Sequence, residues 1–393
     1  MDLVTNPYTP SAGRRPLELA GRDRELDEMR VLVARAQVGT TGRGLVLSGL
    51  RGVGKTVLLR ELHAIADDAG WLTSEIEGSR LTGAKARSRA TLARDLVASA
   101  RRLRSRTTVL TDKLRSALET IGAFSLKLGV AGVELGVERR EGRADTGDLG
   151  FDLEELITDA APALSEQGIG IAVFVDEMQD LDAEMLGALL SAQHRAAQRD
   201  IPFYVVGAGL PNLPGVLAES NSYAERQFDY RTIAALSPDE ALQALVAPAA
   251  ARGVTYEQRA AQLLIHVTDG YPYFIQVYGD QAWRLSVGPD TITYTDALEA
   301  HAAGTEALDF GFFTSRWERA TDAERRFMRA MAQDDGRSVA SEVMTRVGMP
   351  GTSPGPYRRS LIAKGLIYSP DRGQLAFTVP HMADYISRRL DDD

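Results

Sequence analysis

The sequence predicts an α/β fold: a phosphate-binding core on a buried parallel sheet, then a helical segment, then a C-terminal winged helix. Three observations carry this. Leu45-Val46-Leu47-Ser48 runs into Gly49-Leu50-Arg51-Gly52-Val53-Gly54-Lys55-Thr56 and then into the apolar-periodic Val57-Leu58-Leu59-Arg60-Glu61-Leu62, which reads as strand, loop and helix. A continuous apolar run, Ile171-Ala172-Val173-Phe174-Val175, ends in Asp176-Glu177, as expected of a strand buried on both faces of a parallel sheet. From Thr321 onward, short helical patterns with glycine stops give way to a hairpin pattern.

The loop carries the most chemistry. In G-x-x-x-x-G-K-[ST] the glycines let the backbone curl so that its N–H groups converge on a β-phosphate at a helix N-terminus. Lys55 then reaches the β- and γ-phosphates, and the Thr56 hydroxyl is offered to Mg²⁺. The carboxylates of Asp176 and Glu177 fall at the C-terminal end of a strand, where open α/β sheets place their ligands. Asp176 can hold Mg²⁺ through water, and Glu177 can polarise a water for attack on a γ-phosphate. A further buried strand, Ile201 to Gly209, ends in Gly207-Ala208-Gly209, which makes Asn212 the nearest side chain able to sense that phosphate.

Composition sets the bounds. At 393 residues, two or three domains are expected. A hydrophobic fraction of 44% and a charged fraction of 25% are those of an ordinary globular chain. The net charge of −9 argues against a wholly basic nucleic-acid binder, though not against a locally basic face. The lack of cysteine excludes disulfides and thiolate metal sites, and five scattered histidines show no ligand spacing. The N-terminus has no signal pattern and no apolar run approaches the ~20 residues that cross a bilayer, so a cytoplasmic location is expected.

Taken in order, residues 1–20 read as an extended arm, and Gly21-Arg22-Asp23 opens a helix with Leu26, Met29, Leu32 and Val33 on one face. Trp71 to Glu77 alternates as a strand. Residues 79–117 read as helical and carry eleven basic residues against Asp95 and Asp112, which fits either a solvated face or a patch for nucleic acid or an acidic partner. Phe124, Leu126, Leu128 and Val130, then Val133, Leu135 and Val137, alternate as a hairpin, making an insert over about 122–150. A last core strand is expected over 227–233. Ser237-Pro238-Asp239-Glu240 and Thr321-Asp322-Ala323-Glu324 read as capping boxes. These landmarks divide the chain into a core (21–236), a helical lid (237–320) and the winged helix (321–393).

As an ordered set these features resemble the AAA-type ATPases of the Orc/Cdc6-like and STAND groups, over roughly residues 7 to 390. The resemblance implies five parallel strands, a helical lid and a winged helix, with ATP and Mg²⁺ bound between core and lid. Gly21 and Arg22 match the segment that lines the adenine pocket, Lys55 and Thr56 the Walker A pair, and Asp176 and Glu177 the Walker B pair. Gly270-Tyr271-Pro272 resembles the G-x-P motif of the STAND group, standing where related ATPases carry a sensor arginine, and adds Pro272 to the nucleotide-binding set. Arg226 occupies the place of the family's arginine finger, with a surface arginine as the alternative. An ATP-hydrolysing switch follows. Its output is either DNA, read by Arg358, Arg359 and Arg372 of the winged helix, or nucleotide-gated contact with another protein. A nucleotide-dependent homo-oligomer is compatible with both.

Overall fold

The computed structural model describes residues 1–11, 13–106, 111–128, 144–349, 351 and 353–392. Its core is a five-stranded, wholly parallel sheet: β1 (Gly44–Ser48), β2 (Leu72–Glu77), β3 (Ile171–Asp176), β4 (Phe203–Gly209) and β5 (Phe228–Thr232), in the order β2-β3-β4-β1-β5. The strands with two neighbours are buried nearly end to end, whereas β5, at an edge, is half-buried along most of its length. That is why β1, β3 and β4 read as unbroken apolar runs rather than alternating ones. The order puts β4 between the strand that feeds the phosphate loop and the strand that ends in Asp176. All three release their chemistry at the same carboxyl edge.

Helix α1 (Asp23–Gln37) buries Met29, Leu32, Val33 and Ala36, and α2 (Lys55–Asp68) buries Leu58, Leu59, Leu62 and Ala66, both with the helical period. The hairpin expected from Phe124 to Val137 is not what its first half forms. Residues Asp112–Lys127 are one helix, capped by Thr111, whose hydroxyl accepts from the Leu114 N–H, with Leu114, Ala117, Leu118, Ile121 and Phe124 on its buried face. A three-residue alternation is too short a window to outweigh a helical repeat that began at Leu114. The remainder of that expectation, residues 129–143, lies outside the described residues. Leu149–Ser165, which takes in the end of the expected insert, is a further buried helix.

A second apolar cluster takes over where β5 ends. It runs from Leu236 through helices Pro238–Ala250, Gln258–Thr268, Pro272–Leu285 and Tyr294–Ala307, and on without a break into Phe327, Val343, Leu361, Leu375 and Tyr385. The C-terminal portion has the strand–helix–helix–strand–strand order of a winged helix: Arg337–Val339, Ala340–Arg346, Gly355–Ala363, Ile367–Tyr368 and Gln374–Phe377, with the three strands antiparallel. Both capping boxes are formed, by Ser237 with Glu240 and by Thr321 with Glu324. Among the described residues no helix is long and apolar enough to cross a membrane.

The N-terminal arm is built into this second cluster. Tyr8 is buried, with its hydroxyl donating to the Leu245 carbonyl and 2.8 Å from that of Tyr256. Asn6 donates to Asp280 at 2.7 Å and the Trp283 indole donates to the Asp2 carbonyl at 2.8 Å. These contacts tie residues 2–8 to helices more than 230 positions later.

Candidate functional site

The loop between β1 and α2 takes the shape its sequence requires. Gly52 and Gly54 have φ of 89° and 92°, a left-handed backbone that glycine adopts without Cβ strain. Gly49 holds the loop to the sheet, its N–H donating to the Gly209 carbonyl at 3.1 Å. The amides then gather at the start of α2, where the helix dipole favours an anion. Lys55 is buried and donates to the carbonyls of Gly49 at 3.0 Å and Leu50 at 2.8 Å. Burial pushes its pKa down to about 8, against the pull of the Glu177 and Asp176 carboxylates.

Thr56 Oγ1 donates to Asp176 Oδ2 at 2.7 Å, so the hydroxyl and the carboxylate meet across the α2–β3 gap. Burial raises the Asp176 pKa, and the Thr56 and Glu177 N–H hydrogen bonds lower it less. Two hard oxygen donors beside a phosphate loop fit Mg²⁺, which takes one or two protein oxygens and fills its octahedron with phosphate and water. Among the described residues no cluster of three or more His, Asp or Glu offers a self-contained metal cage. Glu177 has φ of 45°, an uncommon left-handed conformation for a side-chain-bearing residue that costs on the order of 1 kcal/mol. Gln179 supports it: its Nε2 donates to Glu177 Oε2 at 2.6 Å, and its Oε1 accepts from the Leu210 N–H at 3.1 Å.

Lys55, Thr56, Asp176 and Glu177 line one cavity of about 350 Å³, within the range of small-molecule sites. One wall is apolar, with Pro10, Leu19 and Ala20 of the arm facing Leu236, Ala244 and Pro272 of the helical segment. The other is polar and holds Gly52, Val53, Gly54, Lys55, Thr56 and Val57 with Asp176 and Glu177. Arg22 braces the two parts, its guanidinium donating to the carbonyls of Val53 at 3.1 Å and Ala234 at 2.9 Å. Tyr273, in the first turn after Pro272, donates its N–H to the Gly52 carbonyl at 3.3 Å. A planar apolar group at one end and a polyphosphate at the other would match this division.

Comparison with known proteins agrees with that chemistry. A family model described as AAA ATPase domain matches residues 18–206, which span the phosphate loop, Asp176 and Glu177. A second family model, a domain of unknown function (DUF8462), matches residues 310–386. No curated protein sequence matches the chain. Among solved structures, a Walker-type ATPase of Pyrococcus abyssi is similar in fold at TM-score 0.58 and 15% identity, covering 94% of this chain and 96% of its own. Cdc6p of Pyrobaculum aerophilum aligns at TM-score 0.44 and 13% identity over 100% and 98% of the two chains. The Orc1 protein of Aeropyrum pernix, solved with DNA, aligns at 0.44 and 15% over 96% and 94%.

The remaining candidates fall in different places. Gly21 turns the chain into α1 at φ 67° beside Glu240, next to the cavity rather than in its lining. Asn212 heads helix Leu213–Ser220 and lines a neighbouring hollow with Gln179 and Asp180. A Cβ at Gly209 would collide with Gln179 Oε1, so the glycine end of β4 is the space that Gln179 fills. Arg226 is exposed near Gly42 and Arg43 at the entry to β1, the far end of the sheet from the loop, and is not brought to the cavity.

Part of the basic excess over 79–117 is paired. Arg80 meets Asp180, Lys85 and Arg89 meet Glu184, Arg102 meets Asp67, and Lys113 meets Glu166. In the winged helix, Lys364 pairs with Glu324, Arg346 with Asp334 and Arg388 with Asp309. Arg359 and Arg372 are exposed and Arg358 half-exposed. Two elements of the cavity had no signal in the sequence: the arm, and Arg316 from helix Thr314–Trp317.

Proposed function

We propose that this chain binds ATP with Mg²⁺ in the cavity between the sheet and the helical segment, hydrolyses it, and works as a nucleotide-controlled switch acting on DNA. The observation that carries the reading is the meeting of Lys55, Thr56, Asp176 and Glu177 at one end of a cavity whose other end is apolar. Loop amides and Lys55 hold the β- and γ-phosphates. Thr56 and Asp176 would hold Mg²⁺, which would supply positive charge to the phosphate oxygens. Glu177, aimed by Gln179, accepts the proton of a water whose oxygen bonds the γ-phosphorus as the β–γ bridge breaks, leaving ADP and phosphate.

In this reading residues 237–320 are the lid and 321–393 the output module. Their shared apolar cluster favours movement as one body against the core. Arg358 and Arg359 near the start of helix Gly355–Ala363, with Arg372 at the wing, supply phosphate contacts.

A second reading is favoured by a specific contact. The Arg51 N–H donates to the Thr378 carbonyl at 3.0 Å, so one side of the winged helix is seated on the phosphate loop. A module held there would pass on nucleotide state by exposing a face to a protein partner.

One set of titrations separates these. Lys55→Ala should lose ATP binding, and Glu177→Gln should keep it while releasing no phosphate; equal ATP affinity in Lys55→Ala and wild type would overturn the site. Full-length Glu177→Gln with ATP should bind duplex DNA at low salt. Arg358→Ala with Arg359→Ala should flatten the log–log salt slope by about 1.8, two phosphate contacts at ~0.9 each. No DNA affinity in either nucleotide state at low salt would leave the protein-contact reading.

A further inference from the structure

We propose that Arg316 reads the terminal phosphate, distinguishing a nucleoside triphosphate from a diphosphate and transmitting the difference to the C-terminal region. This rests on the cavity being the nucleotide site. Arg316 lines it on the wall facing the phosphate loop, yet belongs to the segment matched by the domain of unknown function, far outside residues 18–206.

Its position is built. Residues Leu308–Phe313 form a π-helical turn, an irregularity that recurs at functional sites, and the helix Thr314–Trp317 continues from it. Arg316 Nη1 donates to the Phe312 carbonyl at 2.7 Å, and its guanidinium carbon lies 3.8 Å from the centre of the Phe312 ring. That ring stacks on Tyr273 at 5.1 Å, and the Tyr273 N–H holds the Gly52 carbonyl. The guanidinium is therefore fixed to the phosphate loop through two aromatic rings.

Its charge is not balanced. Among the described residues no carboxylate pairs with Arg316, and its cationic neighbours are Arg319 and Arg51. Burial and those two cations push its pKa down to about 10. Arg51 has a buried Nε with no hydrogen-bond partner and a single loose carboxylate, Glu177, at 3.6 Å. A cluster of partly desolvated guanidinium groups around one carboxylate is unfavourable until an anion enters it. Lys55 and the amides approach the phosphates from the loop side, leaving the opposite side of the terminal phosphate to other cations. Arg51 stands 3.6 Å from Glu177, the residue that would act beside the terminal phosphate, and Arg316 is the cationic neighbour of Arg51 in the same cavity lining.

The test is direct titration of full-length protein with ADP and with ATP, the latter in the Glu177→Gln background to prevent turnover. Arg316→Gln keeps a donor for the Phe312 carbonyl but removes the charge. It should weaken ATP by about tenfold, the scale of one charge-assisted hydrogen bond, and ADP by less than about twofold. Arg316→Lys should recover part of the ATP preference. Equal losses for both nucleotides, or no loss for ATP, would overturn the proposal while leaving the site intact. Failure of the parent protein to bind either nucleotide would overturn the site reading and this one with it.

Discussion

The backbone N–H of Arg51 donates to the carbonyl of Thr378 at 3.0 Å, joining the phosphate loop to the residue that follows the last strand of the winged helix. Thr378 in turn is pinned within its own domain, its hydroxyl donating to the Gly365 carbonyl at 2.8 Å and its N–H to the Leu366 carbonyl at 3.1 Å. A change in the loop's shape is thereby felt about 330 residues away in sequence with no intervening element. The loop cannot rearrange around a phosphate without either carrying the C-terminal domain or letting it go.

Gly365 tests this seam. It has φ of 66°, and a Cβ there would stand 3.1 Å from Arg51 Nη2. Gly365→Leu should force the Arg51 side chain away and loosen the seat. The expected result is severalfold faster release of a fluorescent ADP analogue in stopped-flow chase, with the fold kept by circular dichroism. An unchanged release rate would mean that the contact does not restrain the loop.

Sequence and structure coincide where function demands fixed spacing. Gly49 to Thr56 could be read directly because amides, lysine and hydroxyl must meet one phosphate chain. Ile171 to Glu177 was equally plain, because a strand buried on both faces has no alternative pattern. Elsewhere the information was non-local. Tyr8 sits in an arm without periodicity, and its partners, Leu245 and Tyr256, carry no mark of that contact. The positive field of the winged helix is weaker than its basic residues suggest, since Glu324, Asp334 and Asp309, all earlier in the chain than residue 338, neutralise Lys364, Arg346 and Arg388. Arg316 was hidden by the π-helical turn before it, which breaks the i, i+3, i+4 register from which a helix face is read.

Lys55 gives a prediction in pH. Its folded pKa of about 8 lies below the ordinary 10.5, so the unfolded chain holds the proton more tightly. The cost to folding is full below about pH 8 and fades as pH rises to 10.5, and this group alone makes stability increase across that window. Phosphate binding has the opposite sign, because it needs the ammonium. Above about pH 8 each binding event must take up a proton, and ATP affinity should fall by up to about tenfold per pH unit. Calorimetric titrations at pH 9 in buffers of different ionisation enthalpy should report that uptake; its absence would show that Lys55 does not supply the charge.

Glu324 carries the stability of the winged helix. It is 4% exposed and accepts from the Thr321 N–H at 2.7 Å, from Ser360 Oγ at 2.5 Å and from Lys364 Nζ at 2.5 Å, so one carboxylate ties the helix Asp322–Met331 to the helix Gly355–Ala363. Burial alone would raise its pKa. The Lys364 ammonium and the Ser360 and Thr321 donors outweigh that and bring it down to about 2. A carboxylate depressed from 4.5 contributes stability that is fully present above about pH 5 and is lost as pH falls through 2. At pH 7, Glu324→Gln should destabilise this domain by about 3 kcal/mol, because it leaves the Lys364 ammonium partly buried beside a neutral amide. The measurement is hydrogen exchange of the amides in Gly355–Ala363, which reports this domain rather than the whole chain. Protection in wild type should decline between pH 5 and 2 beyond the intrinsic exchange dependence, and in Glu324→Gln it should not. Adding Lys364→Met should recover much of the loss, since removing both charges is far cheaper than orphaning one. If the double variant is no more protected than Glu324→Gln, the stabilisation comes from the hydrogen bonds to Thr321 and Ser360 and not from the ion pair.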